Sequence, residues 1–373
     1  MRVALFSGNY NYVREGANQA LNRLVSDLEA RGLQFRVYSP VTDTPAFEPA
    51  GTLVPVPSVA LPKRSEFQLA LGLSSKLRDD IRAFGPDLVH VSTPDILGTR
   101  AQTFARKLGV PMVASFHTRF ETYLGHYGLD WLRSPVEGHL RRFYRRSDLI
   151  LVPNQAMAEE MRKVGPPVRV WSRGVDRDRF DPARRSEAWR KRHGWGGEDV
   201  VLLFFGRIVL EKGVDRFVEA VQRLRAAGHS AKALVVGEGP ARDRFAALPD
   251  TVFTGHLDGE ALGEAVASAD IMISPSTSEA FGNVVLEGMA SGLAVVSADV
   301  PSASTLIEPG KTGLLCDPAS PDAYVEAVAS LIADPGRRRA MGAAAREASA
   351  RFSWEEASLS VERAYQELLT AGP

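Results

Sequence analysis

Asp270-Ile271-Met272-Ile273-Ser274-Pro275-Ser276-Thr277-Ser278-Glu279-Ala280-Phe281-Gly282-Asn283-Val284-Val285-Leu286-Glu287-Gly288-Met289-Ala290 carries the pattern on which the reading of this chain turns. Its opening apolar run reads as a strand that Pro275 stops, and Val284, Val285, Leu286, Met289 and Ala290 then recur at helical spacing. Glu279 therefore falls in a strand-to-helix loop, and Glu287 about one turn into the helix. The amides of Asn283, Val284 and Val285, unpaired at a helix start, face the same loop and favour a phosphate. Ionised carboxylates only accept hydrogen bonds, which suits hydroxyl donors. An anion site flanked by two such acids suits a sugar carried on a nucleotide.

The strand–loop–helix unit recurs along the chain. Strands are predicted at Val3–Phe6, Phe35–Tyr38, Leu88–Val91, Pro111–Ser115 and Leu149–Val152, then at Val200–Phe205, Ala233–Val236, Val252–Thr254, Ile271–Ser274 and Ala294–Ser297. Amphipathic segments such as Asn18–Arg31, Thr99–Leu108, Val214–Ala227 and Leu262–Ser268 lie between them. Short, continuously apolar strands alternating with helices imply parallel sheets covered on both faces. Two such series predict an α/β chain of two doubly wound domains, 1–172 and 173–353, broken near Val170–Ala183. A last helix, Trp354–Leu369, is expected to return Leu359, Val361, Ala364 and Leu368 to the first domain. Ligands of open α/β sheets bind at the strands' carboxyl ends, so a cleft between the domains is the expected site.

Bulk properties narrow the choice. At 373 residues the chain exceeds one ordinary core. No apolar run approaches the ~20 residues that span a bilayer, and Val3–Phe6 is too short for a signal-peptide core. One cysteine, Cys316, fits a reducing compartment, and no Cys or His cluster has zinc spacing. The expectation is a cytoplasmic protein, attached peripherally to the inner face of the membrane. Net charge is zero, yet residues 1–174 carry 23 Lys and Arg against 16 Asp and Glu, and the remainder reverses the balance. A basic first half suits an anionic surface.

The Glu279–Glu287 segment, with Gly288-Met289-Ala290-Ser291-Gly292 after it, resembles the E-x7-E signature of family 4 glycosyltransferases. The resemblance covers nearly the whole chain and implies a GT-B fold of two facing Rossmann-like domains. Pro55-Val56-Pro57-Ser58, Pro86-Asp87-Leu88-Val89-His90, Ala114-Ser115-Phe116-His117-Thr118 and Arg173-Gly174-Val175-Asp176 are most similar to the glycolipid branch, the diacylglycerol-type mannosyltransferases and sulfoquinovosyltransferase-like enzymes.

Phe205-Gly206-Arg207-Ile208-Val209-Leu210-Glu211-Lys212-Gly213 follows a strand and places Arg207 and Lys212 in the loop before a helix. Glycosyl transfer from a nucleotide donor expels a diphosphate, and fixed cations stabilise that growing charge. Gly8 and Gly16 bracket the first strand-end loop, which has no G-x-G-x-x-G fingerprint. The resemblance implies that Gly16 approaches the diphosphate and that His117 lies by the donor sugar. It implies Glu279 at the sugar and Glu287 at the ribose, with Phe281, Gly282, Asn283 and Val284 around the diphosphate. Gly237 and the backbone near Leu257 are expected to read the nucleotide. Arg14, Glu15 and Asn18 are candidates for the acceptor, and Arg173 stands where many family members carry Asn. Asp176-Arg177-Asp178 is formally D-x-D, but the fold generally works without a divalent metal, so neither metal nor cofactor is expected.

The resulting expectation is a retaining, metal-independent enzyme moving a hexose-type sugar from a GDP- or UDP-linked donor to a membrane lipid, with no nucleic-acid partner. A soluble or polysaccharide-precursor acceptor, a 2-epimerase of the same fold and a catalytically dead sensor stay open, as does the oligomeric state. For membrane docking the candidates are a helix Pro135–Ser147, with Val136, Leu140 and Phe143 on one stripe and Arg142, Arg145 and Arg146 on another face. Lys63 and Arg64, followed by Phe67, Leu69, Leu71 and Leu73, form a second candidate contact.

Overall fold

Fifteen strands, thirteen of them in two all-parallel sheets, organise the described part of the chain. The structure, a computed structural model, describes residues 1–13, 15–61, 64–117 and 130–370. Two compact units divide it: the first takes in residues up to Arg173 together with the chain from Glu355 onward, and the second runs from Gly174 to Trp354.

In the first unit the strands are β1 (Arg2–Phe6), β2 (Gln34–Ser39), β3 (Thr52–Pro55), β4 (Ser58–Leu61), β5 (Arg64–Ala70), β6 (Leu88–Val91), β7 (Met112–Ser115), β8 (Leu149–Val152) and β9 (Val168–Val170). Seven of them form one sheet in the order β3-β2-β1-β6-β7-β8-β9, and β4 and β5 form a separate antiparallel hairpin. Central strands are buried along their length, as Leu88–Val91 and Leu149–Val152 show, because helices cover both sheet faces. Side-chain caps start several helices: Asp95 accepts from the Gly98 amide at 2.7 Å, and Asn154 from the Met157 amide at 2.9 Å. The last helix, Trp354–Thr370, buries Ala357, Val361, Ala364 and Tyr365 in the cluster that holds Val3, Leu5 and Trp171.

The second unit contains β10 (Val200–Phe205), β11 (Ala231–Val236), β12 (Val252–Gly255), β13 (Ile271–Ser274), β14 (Ala294–Ala298) and β15 (Leu314–Cys316), ordered β12-β11-β10-β13-β14-β15. The strand order reverses between β1 and β6 in the first unit and between β10 and β13 in the second. Open α/β sheets bind ligands at such switch points, beyond the strands' carboxyl ends.

Two expectations need correction here. The helix predicted at Pro135–Ser147 spans Arg133–Arg145, and its apolar stripe turns inward. Phe143 is 3% exposed in the core, Leu140 packs against that core, and Val136 is half-buried. Burial against the sheet removes the ring from water whether or not a membrane is present. The arginines stay outside: Arg142 and Arg145 are exposed and Arg146 half-buried. With Gly138 and Arg141 they line a depression of about 400 Å³. On the β4–β5 hairpin, Val59, Leu69 and Leu71 are exposed, whereas Lys63, like Arg14, lies outside the described residues, and so do the side chains of Arg64 and Phe67. No helix among the described residues is long and apolar enough to cross a membrane.

Candidate functional site

At the second unit's switch point two loops meet. One follows β10 and carries Arg207 and Lys212; the other follows β13 and carries Glu279. Ser276 and Ser278 hydroxyls both donate to the Glu211 carbonyl at 3.3 Å, tying the loops together. The Lys212 ammonium is bonded to the Glu279 carboxylate, and both side chains keep part of their surface in solvent. Arg207 is half-buried in the same loop.

The helix Asn283–Ala290 starts at Gly282, whose φ of +95° is a left-handed conformation open mainly to glycine. Gly282 supplies no side-chain cap, so the first-turn amides keep their capacity for an external acceptor. The Asn283 Oδ1 is buried and has no hydrogen-bond partner among the described residues. Val284 reaches Gly206, where an added Cβ would lie 3.6 Å from its Cγ1. Phe281 is different: it is 5% exposed and packs on Phe352, ring centroids 5.9 Å apart. Its side chain belongs to the core, so the part of it left to serve a ligand is its backbone.

Glu287 lies one turn into this helix. Burial pushes its carboxyl up to about 8, Arg179 opposes the shift and Glu279 adds to it. At neutral pH it is therefore mostly protonated, and it can donate as well as accept a hydrogen bond, unlike the ionised acid expected from sequence. Arg179, absent from the sequence argument, is the cation nearest this balance. Within the formal D-x-D, the Asp176 carboxylate accepts from the amides of Asp178 and Arg179 at 3.2 and 3.0 Å, and Asp178 is exposed. No group of three or more His, Cys, Asp or Glu able to hold a metal occurs among the described residues.

The next loop is locked against the first by backbone alone. Gly237, at φ +139°, is so close to Gly206 that a Cβ would meet its carbonyl oxygen at 1.9 Å. The Ile208 amide donates to the Glu238 carbonyl at 2.8 Å, and the Gly237 amide to the Gly255 carbonyl at 3.0 Å. Leu257, two residues past β12, packs partly against the core.

Gly16 and His117 belong to the first unit. Gly16 is exposed at the first position of the helix Gly16–Ala30. His117 follows β7 and accepts a hydrogen bond through Nδ1 from Arg173 at 2.9 Å. Asn18 is not available to an acceptor: it is 7% exposed, and its Nδ2 donates to the Val13 carbonyl at 3.1 Å. Around the first switch point stand residues not anticipated from sequence. The Gly8 amide donates to Thr93 Oγ1 at 2.8 Å, and burial raises the Asp95 carboxyl above its usual range. Asn9 Nδ2 is buried without a partner among the described residues. The signal was Thr93-Pro94-Asp95 directly after a strand, a capping pattern at a carboxyl end.

Comparison with known proteins agrees with this architecture. Residues 14–179 match the model of Glycosyltransferase Family 4, and residues 185–348 that of Glycosyl transferases group 1. The sulfoquinovosyl transferase SQD2 of Arabidopsis thaliana is 34% identical over 82% of this chain, which spans 61% of that protein's length. A GDP-mannose-dependent alpha-mannosyltransferase of Mycobacterium tuberculosis (strain CDC 1551 / Oshkosh) is 34% identical over 84% of this chain and 83% of its own. Among solved structures, sucrose-phosphate synthase (tll1590) from Thermosynechococcus elongatus superposes with a TM-score of 0.79 over 99% of both chains at 20% identity. This chain belongs to glycosyltransferase family 4 and has the GT-B fold.

Proposed function

We propose that this glycosyltransferase moves a hexose-type sugar from a GDP- or UDP-linked donor to a membrane lipid, with retention at the anomeric carbon and without a divalent metal. The observation that carries the reading is the constellation at the second switch point: Arg207, the Lys212–Glu279 pair and the uncapped helix start at Gly282. Bond breaking leaves negative charge on the departing diphosphate. Two side-chain cations and a helix N-terminus, fixed before the reaction, stabilise that charge most when water is excluded. Lys212 is held by Glu279 until a phosphate competes for it, and the freed carboxylate then accepts from sugar hydroxyls. Glu287, able to donate and accept, suits the paired hydroxyls of a ribose. For the first unit, taken by itself, the reading gives His117 a sugar hydroxyl as partner and leaves the loop around Gly8, with Asp95, to the acceptor.

A sugar donor linked to a nucleotide is supported by the name of a GDP-mannose-dependent relative, and lipid as acceptor by the arginines on the helix Arg133–Arg145 and the exposed Val59, Leu69 and Leu71. The test is product analysis. The enzyme is incubated in EDTA with GDP- and UDP-hexoses and vesicles containing diacylglycerol and phosphatidylinositol, and the glycolipid's anomeric centre is assigned by NMR. An α-linked glycolipid is expected. A β-linked product defeats retention, dependence on Mg²⁺ or Mn²⁺ defeats the metal-free mechanism, and transfer only to soluble acceptors defeats the lipid assignment.

A further inference from the structure

Arg173 is 3% exposed, and among the described residues no carboxylate pairs with it. Its guanidinium is held by neutral groups instead. One terminal nitrogen donates to the carbonyls of Trp171 and Ser172 at 2.8 and 3.0 Å. The guanidinium carbon sits 4.2 Å from the centre of the Trp171 ring. The other terminal nitrogen is 2.9 Å from His117 Nδ1. All these residues lie in the first unit.

That last contact admits one arrangement of protons. Arginine has donors and no acceptor, so Nδ1 must offer its lone pair. A neutral imidazole has one N–H, which must then be on Nε2. Nε2 is buried and has no partner among the described residues. Trp171 fixes the ring plane, edge-to-face at a centroid distance of 5.0 Å.

We propose that Arg173 is a positioning residue that sets the tautomer of His117, keeping its single proton on Nε2 and presenting that N–H as a donor to a ligand oxygen. The identity of the oxygen as a sugar hydroxyl rests on the donor-site reading above; the tautomer does not. The imidazolium form is disfavoured among the described residues. Burial, the Arg173 charge and neighbouring His90 all hold His117 well below the ordinary histidine range. Burial lowers Arg173 to about 9, which leaves it charged at neutral pH. His90 is itself kept neutral, lowered to about 3 by burial, with its ring nitrogens bonded to Tyr365 Oη at 2.6 Å and to Ser115 Oγ. His117 is thus a fixed hydrogen-bond donor and not a proton-transfer group. An Asn at position 173 has an acceptor as well as donors and does not force the same choice.

The test is ¹⁵N NMR of the full chain labelled at histidine, with His117 assigned through His117→Gln. The unmutated protein is expected to show a bare Nδ1 and a protonated Nε2, unchanged through the usual histidine titration. In Arg173→Met the proton should populate Nδ1, and His117 should titrate at higher pH. Arg173→Lys, also a pure donor, should restore the original pattern. A proton on Nδ1, or an imidazolium, in the unmutated protein at pH 7 overturns the proposal, whether or not Arg173→Met folds. So does an unchanged spectrum in a folded Arg173→Met. In turnover, Arg173→Met should lose about tenfold, and Arg173→Lys should regain most of it. If His117→Ala keeps full turnover, the sugar-contact reading falls while the tautomer stands or falls on the spectrum.

Discussion

Lys212 and Glu279 neutralise each other in the free protein, so in the proposed function a donor exchanges that bond for its own. Replacing Lys212 by Ala removes one preorganised cation, and turnover should fall on the order of 10²–10³. Glu279→Gln should act mainly on turnover and Glu287→Ala, which removes both the donor and the acceptor, mainly on nucleotide affinity, a separation that steady-state kinetics alongside titration of the free nucleotide resolves. Equal losses of nucleotide binding in the two variants contradict it. Glu287 also makes a pH prediction. Its folded value of about 8 exceeds the ordinary 4.5, so between these the native state holds a proton that the unfolded chain has lost. Its contribution to stability is therefore greatest below about 4.5 and declines as pH rises toward 8. Glu287→Gln removes that decline. The stability difference, variant minus parent, should grow in the variant's favour across the window, as urea unfolding at a series of pH values will show; a flat difference contradicts the assignment.

At the scale of elements, the close approach of strand-end loops is what shapes the site. Gly237 has both a positive φ and a carbonyl in the place of a side chain. Gly237→Ala should cost at least about 1–3 kcal/mol by strain alone, measurable by denaturant unfolding, and should weaken nucleotide binding with it. The arginine-bearing helix Arg133–Arg145 makes a separate prediction, because its apolar side is committed to the core. The proposed docking then relies on charge, each basic residue near an anionic surface contributing roughly 1 kcal/mol. Reversing Arg142, Arg145 and Arg146 to Glu should abolish co-sedimentation with anionic vesicles at low salt and leave nucleotide binding unchanged. Absence of co-sedimentation in the unmutated protein rules docking out.

Legibility followed burial. Val200–Phe205 and residues 271–273 are apolar throughout because both sheet faces are covered, and such runs are readable without knowing their neighbours. The edge strand Thr52–Pro55 is half-exposed and ends in proline, and Leu314–Cys316 is three residues long, so neither carries a pattern of its own. The direction of the Phe143 stripe was not readable, since periodicity shows that a helix has an apolar face and not what that face meets. Site loops were located by strand ends and glycines. The Arg173–His117 bond joins residues 56 positions apart and leaves no local trace.

Across the whole molecule, the chain's last helix completes the first unit's core. Tyr365 reaches His90 beneath the sheet. Tyr365→Phe leaves a buried ring nitrogen unmatched and should cost about 1–3 kcal/mol of stability. Nucleotide affinity should not change, because the switch-point loops that carry Arg207, Lys212 and Glu279 belong to the other unit. A combined denaturation and titration series on this variant checks both halves of that statement. In the proposed function the second switch point is a metal-independent nucleotide-diphosphate site. Isothermal titration of GDP and UDP in EDTA, against the unmutated chain and against Arg207→Ala and Lys212→Ala, tests it most directly. Binding of at least one nucleotide by the unmutated chain is expected, with a loss of ten-fold or more in each variant, about 1.4 kcal/mol. Absence of binding without a divalent ion, or affinities indifferent to both substitutions, would contradict it.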